Sequence, residues 1–471
     1  MMEITYKASA SPSSASTASG GGGSGGGATS SSSAPPPSSS SSSTSRGKPR
    51  LQIAPMMEIT YKDFRQFMRL LTKETQLWTE MWVDNTLIHS ERVDGFLDFG
   101  QNEHPIVCQL GGSSPETLAK AAKIVESWGY DEINLNCGCP SDRVAGHGDF
   151  GASLMLKPEL VRDCMRGIRE AAALPVTVKC RLGVDDHDSP EFTAAFVRTV
   201  AEAGVRHFII HARKCLLCGL SPDQNRRIPP LMYDRVFRLC LEFPDLEFTL
   251  NGGVNSLEEV ESILGSAPPN LVGVMIGRAA YNNPCLLADA DRRLYGAEAN
   301  PESARSRHAL LTAYCEYLDR EHPASSTDST GAGAIQGALK PVLGVFHGSP
   351  GNKIMRQGIN AFSHDKGIRA KGPAAVLRRV MEALEADPKA RACLHEPLQR
   401  PPSDGASVSG DASVFGDAAE GASAEAEASL VPRPPAEAPA ELEAEEAALG
   451  PAAVERGPMA DALATAAVAA H

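Results

Sequence analysis

Eight short β-rich runs recur through the middle of this chain, and the stretches between them carry helical apolar spacing, which restricts the fold more than any other feature. The runs are Gln52–Pro55, Leu77–Met81, Pro105–Leu110, Glu132–Asn136, Val176–Arg181, Arg206–His211, Glu247–Asn251 and Leu271–Ile276. Helical segments between them, such as Pro115–Trp128, Pro158–Ala173, Ser189–Ala203 and Ser256–Leu264, open on Ser or Pro start signals. Eight alternating βα units predict an α/β chain folded as a TIM (β/α)8 barrel.

The flanks read differently. From Ala8 to Ser45 the chain is almost entirely Ser, Gly, Ala, Thr and Pro, too poor in apolar side chains to offset chain entropy. Residues 1–50 are therefore expected to be a disordered extension. It is hydroxyl-rich, has no acid after Glu3 and ends on Arg46, Lys48 and Arg50, which suits an organelle transit peptide. A plastid or mitochondrial location follows if it is one, and a cytoplasmic location otherwise. Met1 to Lys7 is repeated letter for letter as Met56 to Lys62, and the second copy, in an apolar context, is expected to be the structured one.

Residues 51–296 form the expected barrel, and 297–390 a small all-helical domain, with helical patterns at Ala304–Leu318, Ile335–Phe346, Lys353–Ala361 and Pro373–Ala386. Residues 391–471 read as an acidic Ala/Glu/Pro-rich disordered tail. The net charge is −13, but from residue 401 onward thirteen acids face only Arg433 and Arg456, so the rest is nearly neutral. The acidic whole-chain balance therefore says little against a nucleic-acid partner. No uninterrupted apolar run is long enough for a membrane span. Eleven cysteines without a regular framework suit a reducing compartment.

In such barrels, side chains at the C-terminal strand ends form the active site. Here they are Pro55 with Met56, Glu80, Gln109, Asn136, Lys179, His211, Asn251 with Gly252 and Gly253, and Gly277 with Arg278. The last two groups, after strands seven and eight, can make an anion cradle from glycine backbone N–H groups and a guanidinium. A phosphate-bearing cofactor is implied. Lys179 places a cation where an electron-rich ring becomes anionic on reduction, and His211 and Gln109 can donate to that ring or to the phosphate. Asn134-Leu135-Asn136-Cys137-Gly138-Cys139-Pro140 ends the fourth run on a thiol that can donate a proton. Cys137-x-Cys139 and Cys215-x-x-Cys218 also have the look of metal or redox pairs, but neither has a second cluster at a zinc-ligand interval, and no metal site is expected.

These residues together make the chain resemble the tRNA-dihydrouridine synthases, and most closely the A-type, or tRNA-dihydrouridine(20/20a), synthases. The resemblance covers about Leu51 to Gly296 strongly and the helical region to about Ala370 weakly. It rests on Ala54-Pro55-Met56, Glu80-Met81, Gln109-Leu110-Gly111-Gly112, Asn136-x-Gly138-Cys139-Pro140-Ser141, Lys179-x-Arg181, Ile210-His211-Ala212-Arg213-Lys214, Gly219-Leu220-Ser221-Pro222, Asn225-Arg226 and Ile228-Pro229-Pro230-Leu231. It implies an FMN-containing barrel with a helical RNA-binding domain, reducing D-loop uridine in tRNA at the expense of NADPH. Pro55, Met56, Met57, Gln109, Lys179, His211, Asn251, Gly252, Gly253, Gly277 and Arg278 would hold FMN. Hydride would pass from reduced flavin N5 to uracil C6, with Cys139 protonating C5. Asn136 would contact the uridine, and Asp223, Arg226, Lys353 and Arg356 fall where A-type members touch tRNA. A monomer is expected.

The chain also departs from the family pattern. Glu58-Ile59 replaces the common Asp-Trp, Cys137 takes a usually aliphatic place, the loop Val144 to Phe150 is one residue longer than in typical bacterial members, and Asp223 stands where Lys is frequent. Two other readings compete: a flavin barrel acting on a free pyrimidine or other small molecule, and an RNA-binding protein without turnover. Lys340, Lys353, Arg356, Lys366, Arg369, Lys371, Arg378 and Arg379 favour a polynucleotide, and intact Cys139, Lys179 and His211 favour catalysis.

Overall fold

The computed structural model describes residues 50–140, 150–324 and 331–399. The expectations for the N-terminal extension and the acidic tail, and most of those for the loops at 144–150 and 323–333, lie outside the described residues.

Eight parallel strands form one sheet: β1 Leu51–Ile53, β2 Leu77–Val83, β3 Ile106–Gly111, β4 Glu132–Cys137, β5 Val176–Arg181, β6 His207–His211, β7 Glu247–Asn251 and β8 Leu271–Ile276. Each strand pairs with its sequence neighbour from β2 to β8, and β8 pairs with β1. Gln76, just ahead of β2, closes the ring: the Ile53 amide donates to its carbonyl at 3.0 Å and its amide donates to the Leu51 carbonyl at 3.0 Å. The expected barrel is present, with strand bounds within two residues of the sequence reading.

The helices start where the sequence signals them. Ser114, Ser189 and Ser256 accept from the Thr117, Phe192 and Glu259 amides, satisfying orphan donors of the first turn, and proline follows the first two directly. Outward strand positions such as Leu135, Val178, Phe208 and Leu250 are buried in one large core beneath these helices. Inward positions hold a small separate apolar cluster of Ala54, Trp78, Val107, Ile209 and Met275. The inward positions of β4 and β5 are different: Glu132, Asn134, Asn136, Thr177, Lys179 and Arg181 alternate with apolar residues at the two-residue period of a strand.

After β8 the chain is helical, including Arg307–Glu321, Ala332–Leu339, Asn352–His364, Pro373–Ala386 and Pro388–His395. The stretch expected as one helix over Ile335–Phe346 is a helix ending at Leu339 followed by a 3-10 turn, Lys340–Gly344, opened by Pro341. The last helix crosses the boundary expected at residue 390. Gly344 lies so close to the helix Arg278–Asn282 that a Cβ there would sit 2.5 Å from the carbonyl oxygens of Tyr281 and Asn282. The helical region thus seats directly on the helix that follows β8. It also reaches the β1 loop: the Tyr61 hydroxyl donates to the Gly337 carbonyl at 2.7 Å, and Lys340 Nζ donates to the Glu58 carbonyl at 2.7 Å.

A buried ion pair supports that loop from below. Arg65 Nε lies 2.5 Å from Glu103 Oε2, and Arg65 also donates to the Thr60 and Asp98 carbonyls at 2.8 and 3.0 Å. Breaking a pair of this kind leaves a charge buried without its counter-ion. Glu103→Leu is expected to lower unfolding free energy by about 3–5 kcal/mol, read by chemical denaturation of the full chain; a loss under about 1 kcal/mol would contradict the role given to the pair.

Candidate active site

Strand register brings the expected residues together at the C-terminal mouth. Asn136 is level with Lys179, Arg181 with His211, and His211 with Asn251. Lys179 Nζ donates to Asn251 Oδ1 at 3.1 Å, and Asn251 Nδ2 donates to the Met275 carbonyl at 2.9 Å, so one asparagine links β5, β7 and β8.

A chain of side-chain hydrogen bonds crosses the barrel interior and ends at the thiol loop. Asn136 Oδ1 accepts from the amides of Gly138 and Cys139 at 3.0 and 2.9 Å. Its Nδ2 donates to Gln109 Oε1, Gln109 Nε2 donates to Asn134 Oδ1, and Asn134 Nδ2 donates to Thr177 Oγ1, each at 2.9 Å. The Thr177 hydroxyl then donates to Glu132 Oε1 at 2.6 Å. Backbone amides can only donate, so the first link dictates the direction of every later one, and the last hydrogen needs an acceptor oxygen. Glu132 is that acceptor. Burial pushes its carboxyl up to about 7.

The thiol loop is tied on its other sides as well. The Cys139 carbonyl accepts from the Ala152 amide at 2.9 Å, and the Gly138 carbonyl from Arg181 Nε at 2.9 Å. Arg181, 2% exposed, also donates to the carbonyls of Lys214 and Asn225 at 3.0 Å. Cys139 itself is partly exposed, whereas Cys137, Cys180 and Cys215 are buried.

The expected anion cradle is built on two glycines that follow β7. Gly252 and Gly253 hold φ of 117° and 73°, a region that favours glycine. A Cβ on Gly252 would lie 2.8 Å from His211 Cδ2, and one on Gly253 would lie 2.4 Å from Leu231 Cδ1. Only bare backbone fits between those side chains, and because the Gly252 and Gly253 carbonyls accept from the Tyr233 hydroxyl and Asn255 Nδ2, an anion here would have to be met by backbone amides. Gly277 precedes the helix that starts at Arg278, as in the phosphate sites of other barrels. The donor set of glycine backbone, Arg278, Lys179 and His211 matches a phosphate attached to a ring that accepts negative charge.

Electrostatics sharpen the roles. Burial, with help from the Arg181 cation, lowers the Lys179 ammonium to about 8. Burial first, then the cations Arg181, Lys179, Arg213 and Arg226, hold His211 well below its usual range, so it works as a neutral ring at neutral pH. At the β1 loop, Pro55 and Met56 are half-buried and Met57 is 43% exposed. Glu58, in the left-handed region at φ 60°, is held there by its amide on the buried Glu80 carboxylate and its carbonyl on Lys340.

The residues expected at the RNA interface fall in two places. Asp223 and Arg226 are in the β6 loop. Asp223 pairs with Arg227 at 2.5 Å, with Arg226 at 3.6 Å and with Arg278 at 3.9 Å. It therefore gathers three guanidinium groups at the edge of the cradle. Lys353 and Arg356 are exposed on the helix Asn352–His364, whose Met355 and Ile359 are buried, and among the described residues no hydrogen bond or ion pair joins them to the mouth. Asn134, Thr177, Glu132 and the clamping role of Arg181 were not among the expected site residues; the alternation in Glu132–Cys137 and Val176–Arg181 is the signal that marks them.

A parallel barrel whose mouth brings together Lys179, His211 and a bare Gly252-Gly253 turn, with a thiol on a strand end held by hydrogen bonds, fits an oxidoreductase of the flavin-barrel class. The dihydrouridine synthase family model matches residues 52–380. Among curated relatives, the tRNA-dihydrouridine(20/20a) synthase of Vibrio parahaemolyticus is 44% identical over 342 residues, covering 72% of this chain and 97% of the relative. The protein of the same name from Salmonella typhi is 43% identical, covering 71% and 95%, and that from Escherichia coli K12 is 44% identical, covering 68% and 88%. The chain belongs to the dihydrouridine synthase family, a flavin-dependent family of oxidoreductases acting on tRNA.

Lys179 gives a pH test. Its charged form dominates below about 8 in the ligand-free protein and is lost above it. Affinity for reduced flavin, whose anionic ring Lys179 would face, should therefore weaken as pH rises through about 8, and Lys179→Met should bind it weakly with little pH dependence. Fluorescence titration checks this, and wild-type affinity that is flat from about pH 7 to 9.5 would contradict it.

Proposed function

We propose that this chain is a tRNA-dihydrouridine(20/20a) synthase that uses FMN and NADPH to reduce D-loop uridine to 5,6-dihydrouridine, and that it acts as a monomer. The observation that carries the reading is the thiol of Cys139, presented by a strand end whose Gly138 and Cys139 amides and carbonyls are all hydrogen-bonded, at the same barrel mouth as Lys179, His211 and Gly252-Gly253. Relatives that carry this name match the chain over most of their length.

FMN, when bound, supplies a two-electron reductant that NADPH replenishes. Gly252, Gly253, Gly277 and Arg278 would hold its phosphate, while Pro55, Met56, Met57, Gln109, Lys179, His211 and Asn251 would line its ring and ribityl chain. Lys179 places a positive charge where the reduced ring needs one. Asn136 has its oxygen committed to two amides and one N–H committed to Gln109, so it offers a single donor. That suits a uracil carbonyl. Cys139 holds a proton at Sγ and delivers it to C5 of the ring, and its partial exposure allows the thiol to be reprotonated from solvent. Arg226, Lys353 and Arg356 are exposed cations suited to tRNA phosphates.

The test is product formation by the full chain with NADPH and unmodified tRNA, read by mass spectrometry of D-loop fragments. Dihydrouridine at position 20 or 20a is expected, with Cys139→Ala slowed by about 100-fold or more while retaining flavin. Flavin reduction by NADPH with no RNA product would favour a small-molecule substrate instead.

A further inference from the structure

The segment Asn225-Arg226-Arg227-Ile228-Pro229-Pro230-Leu231 presents an isoleucine to solvent that the chemistry above does not use. Ile228 is 58% exposed, and among the described residues only Leu241 of the large apolar side chains is more so. It is held out by its support. The buried Arg213 guanidinium donates to the carbonyls of Arg227, at 3.0 Å, and Pro229. Arg181 donates to the Asn225 carbonyl at 3.0 Å. Asn225, itself fully buried, donates to the Leu216 carbonyl and accepts from the Leu216 amide, both at 2.8 Å. The Ile228 amide donates to the Gln224 carbonyl at 2.8 Å, and two prolines follow. A loop fixed at this many points cannot fold its isoleucine inward.

Its position and its neighbours indicate what the side chain meets. Leu231 lies against Gly252 and Gly253 of the cradle. Three residues of extended chain reach about 10 Å, so Ile228 stands within that distance of Leu231 at the rim of the mouth. Arg226 and Arg227 precede it, and Arg278 donates to the Arg226 carbonyl at 3.5 Å. An apolar tip flanked by guanidinium groups matches a polynucleotide, which offers phosphates to the cations and a base face to the tip.

A base reaches a thiol at the mouth of a barrel only after leaving its stack. Apolar side chains that enter the vacated space oppose its return. On the reading of this chain as an enzyme of tRNA uridine, we propose that Ile228 is an apolar wedge that packs against the base adjoining the target uridine and keeps the target extruded. With no hydrogen-bonding groups, the side chain makes this contact whatever the neighbouring base is.

The experiment compares full-chain wild type, Ile228→Ala, Ile228→Leu and Arg226→Ala. It measures dihydrouridine formation, tRNA binding over a salt series and flavin content, using intact tRNA and tRNA abasic at either neighbour of the target. Ile228→Ala should lower kcat/KM for tRNA about tenfold, Ile228→Leu should restore most of it, and neither should change flavin content or the salt slope. Arg226→Ala should reduce the salt slope by about 1. For one of the two neighbours, the abasic tRNA should cost wild type as much as the Ile228→Ala change does, and should cost Ile228→Ala nothing more. Unchanged kcat/KM in Ile228→Ala, additive losses with both abasic tRNAs, or loss of flavin or a changed salt slope in that variant would each overturn the wedge. A wild-type protein that makes no dihydrouridine would instead overturn the functional reading beneath it, and the wedge with it.

Discussion

A single directed line of hydrogen bonds, from the Gly138 and Cys139 amides through Asn136, Gln109, Asn134 and Thr177 to Glu132, governs the inside of this barrel. Parallel strands covered on both faces are ordinarily apolar on both. Here β4 and β5 carry polar groups inward at every second position, and each would be costly if left unpaired. The line removes that cost because every amide in it both donates and accepts. It also removes freedom: no amide in it can turn over without placing two donors or two acceptors face to face. The acceptor at its foot is buried enough that its carboxyl is raised to about 7.

The thiol loop is thus positioned from within the barrel rather than by the surface. Two further supports converge on the same mouth. Arg181 joins the Gly138 carbonyl to the loop that carries Arg226 and Ile228, so the thiol loop and the loop after β6 share one guanidinium. Across the mouth, Glu58 is pinned between the Glu80 carboxylate and Lys340 of the helical region, which ties the helical region to the loop after β1. The parts to which substrate binding and chemistry are assigned in the proposal are therefore mechanically continuous, as pre-organised sites require.

Much of this was legible in the sequence because strand ends in a parallel barrel are local signals. Val176–Arg181, Glu247–Asn251 and Leu271–Ile276 have the bounds read from their β-rich runs, and Pro115–Trp128 and Pro373–Ala386 those read from periodicity and start signals. Lys179, His211 and Asn251 followed as strand-end residues. What escaped depends on partners distant along the chain. Thr177 meets Glu132 across 45 positions and Arg181 meets Asn225 across 44, and no local pattern encodes such pairs. Asp223 reads alone as a repulsive departure from the family pattern; among Arg226, Arg227 and Arg278 it is their shared counter-ion. The break after Leu339 follows from Pro341, which was present in the sequence but outweighed by the apolar spacing around it.

The most direct measurement is the turnover of Thr177→Val, an isosteric change that removes one donor and one acceptor from the middle of the line and touches neither flavin nor RNA. If the line positions Cys139, this variant should bind tRNA as wild type does but form dihydrouridine about tenfold more slowly. Wild-type turnover in Thr177→Val would show that the thiol loop is held without it, and would contradict the account.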